Sequence, residues 1–200
     1  MRMPTTLMLA FTFGAICAVA QGQSQKTKAS KDTLSDEQLA VYLAVLKDYM
    51  KDSRGSLNLS IKTYPLVVDE GCSKGLKLER TDDSVPSVHA FTSAPAPNVV
   101  LVDPEQQKSK VKENDPQNLM KKAIDEREPV TEEQLNKSLE LAFSTGLFSF
   151  SEIVFDKTHR HAIVSYSFEC GGLCGHGNDL VLDKIGNKWK VRKTCSSWVS

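Results

Sequence analysis

Apolar residues recur at helical spacing near the start of the region that we expect to fold. They are Leu39, Leu43, Leu46 and Met50, joined by Tyr42 and Tyr49. Residues three or four positions apart lie on one side of a helix, so the pattern predicts an amphipathic helix from about Asp36 to Lys51. Ser35 and Gln38 have the types and spacing of a capping box, which predicts the start of this helix.

Two more helices are predicted between residues 115 and 146. Asp115 followed by Pro116 is typical of a helix start. The apolar residues that follow are Leu119, Met120, Ala123 and Ile124. The third helix begins with a second capping box, formed by Thr131 and Gln134, and we expect it to end at Gly146. Its predicted buried residues are Leu135, Leu139, Ala142 and Phe143.

The spacing of apolar residues changes to two after Gly55, and this alternation predicts one strand. Its apolar members are Leu57, Leu59 and Ile61. Shorter apolar pieces, which we predict to be short strands and turns, occur at 66–68, 85–91 and 99–102. The polar stretch 103–114 has no apolar spacing and is predicted to be a loop.

Four further strands are predicted in the last third of the chain. They cover 147–155, 162–168, 180–183 and 189–198. Gly186-Asn187 is typical of a tight hairpin turn, and the stretch from Cys170 to Asp179 is predicted to be a glycine-rich loop. Helices followed by neighbouring strands predict an α+β fold, with amphipathic helices packed on a C-terminal antiparallel four-stranded meander.

The first twenty residues have the features of a secretory signal peptide. Arg2 precedes an apolar run that ends in the small residues Ala18-Val19-Ala20. This run is shorter than the roughly 20 residues that span a bilayer, so we expect cleavage after Ala20 and no membrane span afterwards. The expected organisation is a signal peptide at 1–20, a flexible leader at 21–33 and one α+β domain at 34–200. The expected location is secreted or periplasmic.

Removal of a signal peptide would leave four of the five cysteines, because Cys17 lies within it. An even number of cysteines in an exported chain favours disulfides over free thiols or metal ligands. Three pairings are possible, and the sequence alone does not choose between them. We predict one disulfide between Cys170 and Cys174, across the glycine turn, and one between Cys72 and Cys195.

The stretch C-G-G-L-C-G-H-G, which begins at Cys170, brings together two of the five cysteines, four of the eleven glycines and one of the four histidines. Cys170, Cys174 and His176 have the donor types of a zinc or copper site, and His159 and His161 precede them. A disulfide-pinned turn also explains the glycines, because a tight turn needs backbone angles that glycine adopts at low cost. We therefore predict a structural turn, with metal binding as the alternative.

The charges of the chain are balanced, with 25 basic and 25 acidic residues. This balance gives no general attraction to nucleic acid or to an anionic membrane, and we expect neither as a partner. Lys188, Lys190 and Arg192 alternate with Trp189 and Val191, so one face of the last predicted strand is cationic. An anionic partner such as a cell-surface polymer is the functional interpretation. A solvated face that discourages aggregation is the simpler one.

Catalysis is not indicated by the order of residues. Serines, cysteines, histidines and carboxylates occur along the whole chain, and their proximity in space is not readable from their order. His89 lies among apolar residues and is interpreted as a histidine of a strand. We expect no cofactor. An enzyme whose site lies in a cavity between the helices and the sheet is a further alternative.

Several short runs occur together in the last fifty residues. They are F-D-K-T-H, A-I-V-S-Y, C-G-G-L-C-G-H-G, L-V-L-D-K, G-N-K-W-K-V and a W-V-S end. In this quarter the chain resembles a family of exported bacterial proteins of unknown function. The resemblance implies export and a terminal sheet with a glycine-cysteine turn, and it brings no assigned catalytic residues. We expect an exported, non-catalytic, disulfide-stapled module for binding or structure.

Overall fold

The computed structural model of the protein describes residues 33–52, 55–79 and 88–200. The predicted signal peptide, almost all of the predicted leader and the first part of the apolar piece at 85–91 lie outside the described residues. In the described part, the helices are α1 (Asp36–Tyr49), α2 (Glu70–Ser73), α3 (Pro104–Glu113), α4 (Pro116–Glu126) and α5 (Glu132–Thr145).

The strands form one mixed sheet. They are β1 (Leu57–Ser60), β2 (Val99–Val102), β3 (Leu147–Phe150), β4 (Val154–Phe155), β5 (His161–Gly171), β6 (Cys174–Ile185) and β7 (Lys188–Val199). The order across the sheet is β2-β1-β3-β5-β6-β7, and β4 also pairs with β5. Strand β1 runs parallel to β2 and β3, and all other pairs are antiparallel. The predicted α+β fold with a C-terminal meander is confirmed, with its first strand divided into β3 and β4.

Helix α1 covers one face of the sheet, which we call the helix face. Ser35 and Gln38 form the predicted capping box. The aromatic side chains of α1 pack on those of β3. The ring centroids of Tyr42 and Phe150 are 4.6 Å apart, and those of Tyr49 and Phe148 are 4.8 Å apart. Residues of α1 that are buried in this core are Val41, Tyr42, Val45 and Leu46. The predicted buried position Leu43 is exposed instead.

The stretch 103–114 is not a loop, as the sequence pattern predicted, but contains α3. The Asp103 side chain accepts hydrogen bonds from the backbone N–H groups of Glu105 and Gln106, and a proline stands at the first helical position. Only Gln107 and Val111 of α3 are buried. A helix that buries so few side chains has no apolar periodicity, and the cap is its only local signal.

Helices α4 and α5 begin where the sequence predicted, but most of their predicted buried residues are not buried. In α4, Met120 and Ile124 are exposed; in α5, Phe143 is 57% exposed and only Ala142 is buried. Gly146 ends α5 as expected, although its φ of −54° is not left-handed. A side chain on Gly146 would overlap the ring of Phe168, so the close approach of that ring requires glycine.

The predicted glycine loop at 170–179 is wrong in extent. Strand β6 begins at Cys174 rather than at Leu180, so only Gly172 and Leu173 separate it from β5. Gly171 ends β5 with a φ of 148°, which lies in the region that favours glycine. Cys170 and Cys174 lie across this hairpin with their Cα atoms 5.0 Å apart, and their sulfur atoms are positioned as a disulfide.

The second face of the sheet, which we call the cleft face, is covered at one end by the segment 66–78. Cys72 is fully buried against Ile163 and Val181. The Cα atom of Cys72 lies 5.3 Å from that of Cys195, and the two sulfur atoms are positioned as a disulfide. This pair links the short helix α2 to β7.

None of the helices in the described ranges combines the length and the apolar content needed to cross a membrane.

Candidate functional site

The first residues of β6 make different contacts on the two faces of the sheet. His176 lies on the helix face, where its ring stacks on Tyr49 with centroids 5.8 Å apart. Its neighbours Gly175 and Gly177 lie on the cleft face, because successive residues of a strand point to opposite sides. The order G-H-G therefore leaves the cleft face of β6 without side chains at two positions.

The indole ring of Trp198 covers these two glycines. Trp198 pairs with Gly177 across β6 and β7. A Cβ atom on Gly177 would overlap the indole, and one on Gly175 would lie 3.3 Å from it. The ring thus spans both positions and rests on the backbone of β6. Because Trp198 is still 45% exposed, its other side is free to contact a ligand.

Small polar side chains continue from Trp198 across the sheet. Ser149, Ser167, Gly177 and Trp198 are successive partners in β3, β5, β6 and β7, so they form one row. In the neighbouring row, Glu169 pairs with Leu147 on one side and with Gly175 on the other. These two rows form the floor of a cleft.

The cleft has a volume of about 520 Å³. The rest of its lining comes from the end of β1 and the segment after it, from Val88 and from the first two turns of α3. These further lining residues are Ser60, Lys62, Thr63, Tyr64, Val88, Pro104, Glu105 and Lys108. A concave site of this size with a few polar groups on a rigid sheet is the usual form of a small-molecule binding site.

Tyr64 contributes a neutral hydroxyl group to the cleft. Burial raises the pKa of Tyr64 to about 12, with a further increase from the negative charges of Asp179 and Glu169, while a hydrogen bond with Ser167 opposes the shift. The tyrosine therefore keeps its proton at any physiological pH. It can both donate and accept a hydrogen bond.

The charges in the cleft balance. Its lining contains the carboxylates Glu105 and Glu169 and the ammonium groups Lys62 and Lys108. Lys108 Nζ lies 3.3 Å from Glu105 Oε1, so two of these charges already neutralise each other. The side chains that line the described part of the cleft therefore carry no net charge.

The three residues predicted as alternative metal ligands do not converge on one point. The sulfur atoms of Cys170 and Cys174 are directed at each other, and His176 packs among Tyr49, Tyr166 and Phe168. Burial lowers the pKa of His176. Within the described ranges, no three histidine, cysteine, aspartate or glutamate side chains are grouped as a metal site would require.

His159 and His161 lie at the other end of the sheet. His159 Nδ1 lies 2.8 Å from Glu37 Oε2, and His159 Nε2 lies 3.2 Å from Glu79 Oε1. The hydrogen bond with Glu37 raises the pKa of His159; burial opposes this effect and Glu79 adds to it. His161 Nδ1 lies 2.8 Å from Asp183 Oδ1. Both histidines therefore join structural elements through carboxylates.

His89 is paired with Glu152 at the margin of the cleft. His89 Nδ1 lies 2.6 Å from Glu152 Oε2, and the backbone N–H of His89 donates to Glu152 Oε1 at 2.8 Å. Thr63 donates to the same carboxylate oxygen. This pair fixes residues 88–91 to the start of β4. An oriented imidazole can also act as a base, but the described lining of the cleft contains no histidine.

A serine motif that the sequence analysis missed occurs at Gly71-Cys72-Ser73-Lys74-Gly75, which fits G-x-S-x-G. In enzymes with this motif, the serine lies on a sharp turn between a strand and a helix. Here Ser73 lies within α2, and its hydroxyl donates to the Glu70 carbonyl oxygen at 3.2 Å. Cys72, beside it, is buried. The segment therefore matches this motif in sequence but not in structure.

The basic stretch of β7 alternates as the sequence predicted. Lys188, Lys190 and Arg192 are exposed, while Trp189 is buried between them. Arg192 Nε lies 3.5 Å from Asp183 Oδ1, so part of this charge is matched within the protein. Binding of an anionic partner at this stretch stays a prediction.

A second groove, of about 420 Å³, lies between the C-terminal half of α1 and residues 96–98. It is lined by Leu43, Leu46, Lys47, Met50, Lys51, Ala96, Pro97 and Asn98. Its described lining is mainly apolar and contains no carboxylate or hydroxyl side chain. It offers a ligand fewer directional contacts than the cleft on the other face.

The cleft residues were not singled out in the sequence analysis, although a signal for them exists. Ser165, Ser167 and Glu169 alternate with apolar residues in β5, and two glycines two positions apart mark one bare face of β6. Fold and site together define an α+β protein with a polar, neutral cleft on one face of a mixed sheet. Comparison of the chain with protein-family models, with curated proteins and with solved structures found no match.

Proposed function

We propose that this protein is an exported, non-catalytic binding module whose ligand occupies the cleft on the cleft face of the sheet. The observation that carries the proposal is the placement of Trp198. A large aromatic side chain near the C-terminal end is held on one side by bare backbone and is open on the other. Exposed aromatic side chains at the edge of a polar cavity are a common feature of binding sites.

The rigidity of the floor supports binding. The floor side chains lie on β3, β5 and β7 rather than on loops, and the Trp198 indole rests on the backbone of β6. The Cys170–Cys174 pair closes the hairpin between β5 and β6, and the Cys72–Cys195 pair fixes β7. Little conformational freedom would be lost in these strands when a ligand binds, and this favours affinity.

Export is proposed from the N-terminal residues and the cysteines together. Two pairs positioned as disulfides are typical of proteins that mature outside the reducing cytosol. The intact mass of the naturally exported protein, after alkylation with and without reductant, tests this. We expect a chain that begins at Gln21 and takes up no alkylating agent until reductant is added. Alkylation without reductant would contradict the disulfides, and a chain that retains residues 1–20 would contradict processing.

The binding function is tested with a panel of soluble ligands from separate chemical classes. Neutral saccharides, amino acids, organic acids, nucleotides and fatty acids are added to the mature protein, and thermal unfolding is followed by fluorimetry. We expect one class to raise Tm in the wild-type protein and in Phe143→Ala, but not in Trp198→Ala. Phe143 is the matched control, because it is an exposed aromatic residue that does not line the cleft.

Two outcomes would contradict the proposal. One is that no class raises Tm. The other is that a ligand raises Tm equally in the wild-type protein and in Trp198→Ala, which would place its site elsewhere. A ligand that the protein converts into a product would instead support the cavity-enzyme alternative.

A further inference from the structure

The aromatic contact surface in the cleft is preorganised. The backbone of β6 at Gly175 and Gly177 supports one side of the Trp198 indole and orients it. The side chain therefore loses little conformational entropy when a ligand packs against its other side. Three classes of ligand use such a surface: nucleobases, organic cations and the C–H faces of sugar rings.

The charge of the cleft distinguishes these classes. An organic cation held by an aromatic ring is usually accompanied by excess negative charge, and a nucleotide needs excess positive charge for its phosphates. The lining has two carboxylates and two ammonium groups, and one pair of them is in mutual contact. This balance favours a ligand that is polar and uncharged, because the described lining offers a charged ligand no excess of opposite charge to offset its lost hydration.

The hydrogen-bonding groups on the floor fit a polyhydroxylated molecule. The hydroxyls of Ser149, Ser167 and Tyr64 can each donate and accept, and the carboxylate of Glu169 accepts only. Sugar hydroxyls have both capacities and therefore match such a mixed set. The indole lies over Gly177 in β6, so two strand spacings of about 4.8 Å, or roughly 10 Å, separate it from Ser149. That length corresponds to about two sugar units.

We propose that the cleft binds a neutral oligosaccharide, with one sugar ring packed against the open side of Trp198 and its neighbours hydrogen-bonded to Ser167, Ser149 and Glu169. This proposal rests on the proposed binding function and names the ligand class for it. The G-H-G sequence of β6 then has a role in recognition, because its two glycines make room for the indole.

The test uses the mature protein and three neutral probes: cellotriose, maltotriose and N,N′,N″-triacetylchitotriose. Binding is measured by calorimetry and by tryptophan fluorescence, with trigalacturonic acid as an anionic comparison. We expect at least one neutral probe to bind and the anionic one to bind at least tenfold more weakly. Because Trp189 is buried, the fluorescence change should persist in Trp189→Phe and disappear in Trp198→Phe.

Variants of two side chains locate the site. Trp198→Ala should lower the affinity for the best-binding probe at least tenfold. Trp198→Phe should retain part of that affinity. Glu169→Gln, at an exposed position where folding is not at risk, should lower the affinity for the same probe several-fold. Phe143→Ala should leave the affinity unchanged. Circular dichroism and Tm of each variant confirm that it is folded.

The outcomes separate this inference from the proposed function. If no neutral saccharide binds but another class in the ligand panel binds in a manner that depends on Trp198, the saccharide inference is wrong and the binding function stands. If no class binds, both are wrong. If a saccharide binds with equal affinity to the wild-type protein, Trp198→Ala and Glu169→Gln, the assignment to this cleft is wrong.

Discussion

Residue identity in β6 follows from the face on which each side chain lies. Gly175 and Gly177 have no side chain because the indole of Trp198 occupies that space, whereas His176 between them packs on Tyr49. The sequence pattern predicted these three residues to be part of a glycine-rich, disulfide-pinned turn, since glycine usually indicates a turn. Their role becomes visible only when Trp198, more than twenty residues further along, is placed beside them.

Gly177→Ala should lower the free energy of unfolding by about 1–3 kcal/mol, the usual cost of an overpacked site. The added methyl group would overlap the Trp198 indole and would also lie 2.7 Å from the Tyr166 carbonyl oxygen. Urea unfolding measures the loss. In the Trp198→Ala background the cost should be smaller, because only the backbone contact is left. Equal costs in both backgrounds would show that the indole does not cover Gly177 in solution.

The stabilising contribution of His159 should depend on pH. The pKa of His159 is raised in the folded protein, so folding favours the protonated ring, which donates to Glu37 and Glu79 together. This contribution is complete below the unfolded pKa of about 6.5 and is lost as the pH rises through the folded pKa. His159→Gln should therefore cost more stability at about pH 5.5 than at about pH 9. We expect the cost of His159→Gln to be about 0.2–1 kcal/mol larger at the lower pH, a small difference because these side chains are partly exposed.

His176 provides a control with the opposite sign. Burial lowers the pKa of His176, so the folded state binds fewer protons at this site, and the wild-type protein loses stability there as the pH falls below the unfolded value. The cost of His176→Gln should thus become smaller toward low pH. Urea unfolding at both pH values measures the two variants. If the free-energy costs of His159→Gln and His176→Gln changed with pH in the same direction, the contacts described for the two histidines would be contradicted.

The four longer helices of the described part begin with two kinds of cap. Capping boxes begin α1 and α5, and an aspartate followed by proline begins α3 and α4. The sequence was sufficient to predict three of these four helices. Helix α3 was missed because the pattern was searched for apolar spacing, which a polar helix on the surface lacks. Asp103-Pro104 carried the same start signal as Asp115-Pro116.

Asp115 should contribute more to stability than Asp103. Both side chains cap a helix, but Asp115 also accepts the backbone N–H of Gly172 at 2.8 Å and so attaches α4 to the β5–β6 hairpin. Loss of a cap costs about 1 kcal/mol, and loss of a hydrogen bond to a charged group costs about 1.5–3 kcal/mol. We expect Asp115→Ala to destabilise the protein more than Asp103→Ala in urea. Equal losses would mean that the contact with Gly172 contributes nothing.

The cleft could not be predicted from the sequence, although the predicted meander already made β3, β5, β6 and β7 successive neighbours. Gly175 and Gly177 were assigned to a loop rather than to β6, and alternation does not predict that β1 joins β3 in parallel. Ser149, Ser167, Gly177 and Trp198 form one row only when Gly177 is part of the sheet. The sequence was more informative about the cysteines, since few partners exist for each and the structure places the predicted pairs side by side.

The two cysteine pairs should differ in their contribution to stability. The Cys72–Cys195 pair spans 123 residues and the Cys170–Cys174 pair spans 4. On the chain-entropy model, the loss of the longer loop costs about 5 kcal/mol and the loss of the shorter about 2 kcal/mol. Urea unfolding of the Cys72→Ala/Cys195→Ala and Cys170→Ala/Cys174→Ala double variants, without reductant, measures both. A larger loss in the second variant would contradict the entropic account.

The long cysteine pair also determines what a protease can release. Once the bond between Cys72 and Cys195 is formed, residues 72–195 are a covalently closed ring. Cleavage of one peptide bond anywhere in that ring leaves the two fragments attached to each other. Three strands of the cleft floor, β3, β5 and β6, lie inside the ring, and Trp198 is three residues beyond its end. A nicked molecule would therefore keep every group of the proposed binding site on one covalent body, which would be an advantage to an exported protein that meets extracellular proteases.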